Sequence, residues 1–374
     1  MLFATPPPEP LEMDVVARID EIRAQVRFMS AGSKQWVGLL ARLFAVAPSI
    51  DGPNGHEGLD DGIDDAATAE GPSPDKAGRA LAGYREAMKY ILHLHDDPHF
   101  VYDEGFLRSL HFMMLSYDPE ANPGRWRPGP ICVRRRQTNE ILYEAPPAAL
   151  VPDLMRELAA WLNEKSDLPV MVRAAMAHLQ LAKIHPFSDG NGRMARVLHT
   201  LVLVREEILD PEFCSIEGYV GRARSQYFES LSDVGSVAWD PAGDARPFLR
   251  FCLTAHVHQA ERVLGHARRM NQVWAEAEQE IRARRLPDRL VFALTDAAVL
   301  GKTGQAAYRQ WAGGSARRAR RDLETLADHG LVTRAVGRRH RSYTAGPLAK
   351  EIRKHAWAAH PPRPLLDPFT GRGS

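Results

Sequence analysis

The sequence predicts a mainly α-helical protein: a helical bundle carrying a short hairpin, followed by a small winged-helix unit of the helix-turn-helix kind. Three observations predict it. Apolar residues recur at helical spacing from Trp36 to Val202. Strand-like alternation is scarce before residue 285. Past Leu286 the pattern becomes helix, turn, helix and two β-prone runs joined by a basic turn.

Taken in order, Trp36, Leu39, Leu40, Leu43 and Phe44 mark the first apolar face, between Ser33 and Val46. Leu81, Met88, Ile91 and Leu92 mark a second, and Phe106, Leu107, Leu110, Met113 and Met114 a third. Leu154, Leu158, Trp161 and Leu162 follow, then Met176 and Leu179, then Val197, Leu198, Leu201 and Val202. Residues 51–76 are rich in Gly, Asp and Pro and read as a mobile acidic loop. Residues 122–130 read as a turn, and 133–143 as a short exposed hairpin or loop before Pro146-Pro147 starts the next helix. The amphipathic stretch from Pro247 to Arg282 reads as a linking helix. Ser315 can cap a helix with Ala319, Leu323 and Leu326 on its apolar face, stopped at Gly330. From about His360 the Pro-rich tail is expected to lack order.

A chain of 374 residues exceeds one compact core, so two folded units with extensions are expected. The divisions drawn are 1–76 for N-terminal helices and the acidic loop, 77–255 for the catalytic domain, 256–285 for the linker, 286–347 for the winged helix, and 348–374 for a C-terminal segment and tail. A net charge of +1 excludes wholesale attraction to nucleic acid or membrane, leaving only local patches. Cys132, Cys214 and Cys252 are scattered, which argues against a disulfide framework and for a reducing compartment. No signal peptide is visible and no apolar run approaches the ~20 residues of a membrane span, so the expected location is cytoplasmic.

The chemistry concentrates in His185-Pro-Phe-Ser-Asp-Gly-Asn-Gly-Arg-Met-Ala-Arg196. Pro186 stops the preceding helix, because the residue before a proline is pushed out of the α region. Gly190-Asn-Gly192 then opens a new helix, whose exposed amides and dipole make a nest for an anion. Arg193 and Arg196, three apart on the first turn, can reach the same anion. Asp189 sits where a carboxylate would be repelled by phosphates unless Mg2+ bridged them. His185 titrates near neutral pH and can accept a proton from an attacking hydroxyl. Base, metal carboxylate, anion nest and arginines are the parts of phosphoryl or nucleotidyl transfer.

This segment resembles the signature of the Fic-domain family, His-x-Phe-x-(Asp/Glu)-Gly-Asn-(Gly/Lys)-Arg-x-x-Arg, at every fixed position. The similarity extends to Tyr84-Arg-Glu-Ala87, Gly124-Arg-Trp-Arg127, Ala145-Pro-Pro147 and Tyr227-Phe-Glu-Ser-Leu231, spanning roughly residues 35 to 255. It implies a Fic-type helical bundle with a β-hairpin flap near 137–143, which would align a target segment by strand addition. It also implies transfer of AMP from ATP, with Mg2+, to a Ser, Thr or Tyr hydroxyl of a protein or of the chain itself. His185 would be the base and Asp189 the metal ligand, while Gly190, Asn191, Gly192, Arg193 and Arg196 would bind the nucleotide. Ala223-Arg224 stands where the family has Asn-Arg, so nucleotide identity is fixed less tightly.

Many relatives carry an inhibitory (Ser/Thr)-x-x-x-Glu-(Gly/Asn) helix whose glutamate pairs with the second arginine. Ala47-Pro-Ser-Ile-Asp51-Gly52 is similar, with Ala47 in place of the hydroxyl residue and Asp51 one methylene shorter than Glu; Asp51 either takes that role or serves as a helix-end turn residue. Ser215-Ile-Glu217-Gly218 also looks alike, but Glu217 reads as a residue near a helix start. His93, His95 and His99 do not share a helix face and read as a solvated end, and residues 60–65 lack a calcium loop's spacing. Arg317, Arg318, Arg320 and Arg321, with Arg338, Arg339 and Arg341 on the wing, suit phosphate contacts with DNA, or a solvated protein-binding face. Transfer of another phosphate-containing group, a nucleotide-sensing DNA-binding regulator, and a homodimer stay open.

Overall fold

The structure is a computed structural model that describes residues 1–30, 74–134, 139–206, 208, 213, 215–335, 342–361 and 366–371. Asp51, Arg338, Arg339 and the face from Trp36 to Phe44 lie outside the described residues. The chain divides into two compact units. Unit 1 comprises Met1–Arg23, Leu40–Ala260 and Leu365–Ser374, and unit 2 comprises Ala24–Leu39 and Glu261–Pro364.

Unit 1 is built around two helices that follow one another in sequence and pack together, α5 (Val170–Ile184) and α6 (Asn191–Arg205). Nearly every residue of both is buried, so neither shows a one-sided stripe; helices apolar all round belong in a core. Around them stand α2 (Pro74–His93), α3 (Glu104–Leu115) and α4 (Val151–Asn163), followed by α7 (Glu217–Arg222) and α8 (Arg224–Ser232). Asp103 caps α3 by accepting the Phe106 amide at 2.6 Å. Helix α9 (Arg246–Ala283) is a single rod of 38 residues that begins in unit 1.

The N-terminal helices expected within 1–76 include one to which the sequence analysis gave no bounds. Helix α1 (Pro10–Ser30) buries Val15, Ile19, Ile22 and Val26, which recur at helical spacing. Glu12, fully buried, accepts Arg246 Nη1 at 2.8 Å and Arg250 Nε at 3.0 Å, which ties α1 to the start of α9. Ahead of it, Phe3 exchanges two hydrogen bonds with the Gln180 side chain, at 3.1 and 2.7 Å. The tail also departs from expectation: Leu366 O lies 3.1 Å from His258 Nε2, and Phe369 lies under the Arg250 guanidinium.

Strands β1 (Cys132–Arg134) and β2 (Ile141–Glu144) pair antiparallel, with Val133 opposite Tyr143 and a bulge after Val133. This is the hairpin expected in 133–143. It is pinned at its base, because Tyr143 donates to Lys183 O at 2.7 Å.

Unit 2 runs α10 (Val291–Leu300), β3 (Lys302–Gly304), α11 (Gln305–Ala312), α12 (Ala316–Asp328), β4 (Val332–Arg334), β5 (Ser342–Ala345) and α13 (Pro347–Ala359). Its sheet is ordered β3-β5-β4 and antiparallel throughout. Two strands were expected; β3 is the third. Three residues, Lys-Thr-Gly, carry no alternation to read, and their extended state comes from pairing with β5. Ser315 caps α12 as predicted, accepting the Arg318 amide. Buried Asp322 accepts both Arg289 nitrogens at 2.8 Å and the Tyr308 hydroxyl at 2.9 Å, locking α12 onto α11 and the turn before α10.

Candidate active site

The loop 185–190 joins the two core helices and is held from every side. Pro186 denies His185 an α conformation, and His185 takes φ 51°, ψ 57°, a left-handed state that non-glycine residues seldom adopt. Its amide still reaches Leu181 O at 3.0 Å, closing α5. Arg127, buried in the Gly124-Arg-Trp-Arg turn, donates from Nε to His185 O at 2.8 Å and from Nη2 to Pro146 O at 2.5 Å. Its own amide reaches Pro186 O at 2.9 Å. Phe187 is fully buried and stacks flat on His111, ring centroids 3.6 Å apart. Asn191 closes the loop on itself: its side chain accepts the Phe187 amide and donates to Phe187 O, both at 2.9 Å.

Partners fix the state of His111. Nδ1 accepts the Gly124 amide and Nε2 donates to Asp189 O, each at 2.9 Å, so the ring is neutral with its proton on Nε2. Burial pushes its pKa down to about 4, consistent with that neutral state.

Gly190 is required twice over. Its φ is +78°, and a Cβ there would approach Leu115 Cδ1 to 2.8 Å. Helix α6 starts at the next residue, so the amides of Asn191, Gly192 and Arg193 fall in a first turn that lacks intrahelical acceptors. The Gly190 amide itself donates to Asp189 Oδ1 at 2.6 Å. The nest read from the sequence is therefore narrower than expected, with Asp189 curled over one of its amides. Asp189 Oδ2 also stands 3.3 Å from Arg193 Nη2.

His185 lines a cleft together with Gly192, Arg196, Lys183, Tyr143 and Phe228. Ala182 O lies 3.1 Å from His185 Nδ1. A carbonyl can only accept, so the neutral ring carries its proton on Nδ1 and its basic lone pair on Nε2. Lys183 is also buried; its Nζ donates to Val234 O at 2.9 Å and lies 4.3 Å from the Tyr143 ring centre, and burial lowers its pKa to about 8.

Arg196 is 4% exposed and carries a partner that the sequence reading set aside. Glu217, first residue of α7, accepts Arg196 Nε at 2.7 Å, and the Tyr84 hydroxyl donates to the same oxygen at 2.5 Å. Burial and the Glu217 charge raise the Tyr84 pKa well above its ordinary value, so the phenol keeps its proton and remains a donor. A helix-start reading of Glu217 was correct as far as it went. What linear sequence could not show is that the turn into α7 brings it back beside α6. Tyr84 lies in the segment Tyr84-Arg-Glu-Ala87, and no local pattern pairs it with Glu217. Arg317 and Arg318 belong to unit 2 and are described apart from this site.

A hydrogen-bonded base, a carboxylate, a helix N-terminus and two buried arginines thus stand together in one loop and the first turn of α6, in a segment that resembles a Fic domain. Residues 101–203 match the model of the Fic/DOC family. The chain is 33% identical over 117 residues to protein adenylyltransferase fic-1 of Caenorhabditis elegans, covering 31% of this chain and 21% of that relative. It is 34% identical over 93 residues to the probable protein adenylyltransferase aq_aa38 of Aquifex aeolicus strain VF5, covering 24% of this chain and 29% of that relative. The chain thus spans under a third of the length of the curated relatives it matches. Among solved structures, a Fic family protein from Desulfovibrio desulfuricans G20 superposes with a TM-score of 0.52 at 20% identity, covering 92% of this chain and 98% of that one. A Fic domain containing signaling protein from Bacteroides thetaiotaomicron VPI-5482 gives 0.52 at 19% identity, covering 67% and 96%. At such identities the likeness concerns the fold. No helix among the described residues is long and apolar enough to cross a membrane.

Proposed function

We propose that the chain transfers AMP from ATP to a hydroxyl of a protein, its own surface included. One observation carries this reading: His185, with its basic lone pair on Nε2, lines the same cleft as Gly192 and Arg196 at the start of α6. His185 accepts the proton of the incoming hydroxyl, whose oxygen bonds to the α-phosphorus. The bond from that phosphorus to the bridging oxygen of the β-phosphate breaks, and pyrophosphate departs with the electron pair. The first-turn amides of α6, with Arg193 and Arg196, face the charge that accumulates on the phosphates. The relatives' names support AMP as the group transferred, and the sparse cysteines support a reducing, cytoplasmic setting.

Asp189 is the residue suited to Mg2+. It is half exposed, at the mouth of the loop, and Mg2+ takes one or two carboxylates alongside substrate phosphates and water rather than a protein cage. Bound there, the ion would neutralise phosphate charge. For that, Asp189 must release the Gly190 amide and Arg193, which frees an amide and a guanidinium for the nucleotide in the same movement.

Protein incubated with ATP labelled at the α-phosphate is expected to incorporate label, whereas ATP labelled at the γ-phosphate is not. His185→Ala abolishes the signal. Label arriving from the γ position instead would replace this reading with phosphoryl transfer. Asp51, assigned a restraining role from its resemblance to an inhibitory segment, gives increased labelling in Asp51→Ala. We read unit 2 as a winged-helix module, on the order of its helices and strands.

A further inference from the structure

Helix α12 holds its charges backwards. Its buried side is Ala319, Asp322, Leu323 and Leu326. Arg317, Arg318, Arg320 and Arg321, all exposed, crowd the first two turns, while half-buried Glu324 and exposed Asp328 follow in the last two. A helix macrodipole favours the opposite order, anions at the N-terminus and cations at the C-terminus. From Gln305 to Leu323 the chain has five arginines and one carboxylate, and that carboxylate, Asp322, is buried against Arg289 and Tyr308. Arg320 pairs with Glu324 at 3.0 Å. Among the described residues, Arg317, Arg318 and Arg321 have no carboxylate within ion-pair distance. Arg318 folds back along the turn, with its guanidinium next to Gly314, while Arg317 and Arg321 stand one turn apart on the same outward face.

Such an arrangement is unfavourable in the free protein and becomes favourable against a polyanion. The position of the patch says which one. In a helix-turn-helix unit, the second helix enters the major groove with its N-terminal residues foremost, and here those are the cationic residues. Its dipole then adds to the attraction instead of opposing the arginines. The rest of the chain contributes no general attraction, since its net charge is +1.

We propose that unit 2 binds double-stranded DNA through the first two turns of α12, with Arg317, Arg318 and Arg321 as the contacts. The inference is independent of the AMP-transfer reading, and either can fail alone.

The test is fluorescence anisotropy of the full-length chain with a labelled duplex of about two helical turns. Binding at low salt is expected to weaken as salt rises, with a log–log slope of about −3 to −4 for three or four neutralised phosphates. Replacing all three arginines (Arg317→Gln, Arg318→Gln and Arg321→Gln) should weaken binding at least ~10-fold and cut the slope by about 3. A control with the same change in net charge, Arg18→Gln, Arg156→Gln and Arg282→Gln, should bind as the parent does. Circular dichroism checks that both variants fold. Four results would overturn the proposal: no duplex binding at low salt, equal weakening in the control, displacement of the duplex by ATP, or tighter binding to single-stranded RNA.

Discussion

Arg196 is gripped from behind. Glu217 accepts Arg196 Nε, and the Tyr84 hydroxyl backs the same oxygen, so the carboxylate fixes how the guanidinium is oriented. Glu217→Ala should therefore lower kcat/KM for AMP transfer by roughly 10- to 100-fold, the equivalent of losing one charge-assisted hydrogen bond of about 1.5–3 kcal/mol. Tyr84→Phe should have a smaller effect in the same direction. Increased labelling in Glu217→Ala would mean instead that this carboxylate blocks the site. At Gly190 backbone and space agree: Gly190→Ala faces a left-handed φ and a contact of 2.8 Å with Leu115. It should cost about 1–3 kcal/mol in chemical denaturation and reduce turnover further by shifting the start of α6.

At the level of elements, the loop keeps its shape because a guanidinium gathers three segments. Arg127 joins the 124–127 turn, the loop at His185 and the Pro146 bend. Lysine offers a point charge with no planar fork, so Arg127→Lys leaves at least one buried carbonyl without its donor. The expected loss is about 1–3 kcal/mol per abandoned acceptor, read from the urea midpoint, with turnover falling more than stability accounts for. In unit 2, Asp322→Ala would strip Arg289 and Tyr308 of their acceptor and remove the lock between α11 and α12. About 3 kcal/mol of destabilisation is expected, visible as proteolytic opening of α11–α12.

Across unit 1 as a body, acid is the weak side. His178 and His256 are held at pKa values of about 3, and His111 at about 4, because burial disfavours the charged ring. His199, whose Nε2 lies 2.8 Å from His256 Nε2, is also pushed well below its ordinary value by burial. Folded rings with lowered pKa bind fewer protons than unfolded ones, whose pKa is near 6.5. Their contribution is complete above pH ~6.5 and is lost as pH falls toward 4 and then 3, at about 1.4 kcal/mol per pH unit for each ring. Thermal melts should therefore hold steady from pH 8 to 7 and drop steeply between about pH 6.5 and 5. A midpoint unchanged across that window would mean these rings are hydrated or charged in the native state.

The sequence alone determined the parts whose signals are local. Helical spacing located helices of the bundle and the long helix α9, Gly and Pro marked breaks, and the loop from His185 to Arg196 stood out by residue type and spacing. Helix α1 carries a local signal too, since Val15, Ile19, Ile22 and Val26 form a helical stripe behind a Pro-rich start. Other features belonged to the tertiary structure. Glu217 meets Arg196 across 21 residues and Tyr84 across 133, distances over which no periodicity carries information. Strand β3 exists through its pairing with β5, and the Gly190 amide was taken by Asp189, a choice made by loop geometry. Local propensity and charge spacing are written along the chain, but which buried polar groups satisfy one another is decided only when packing brings distant segments within hydrogen-bond reach.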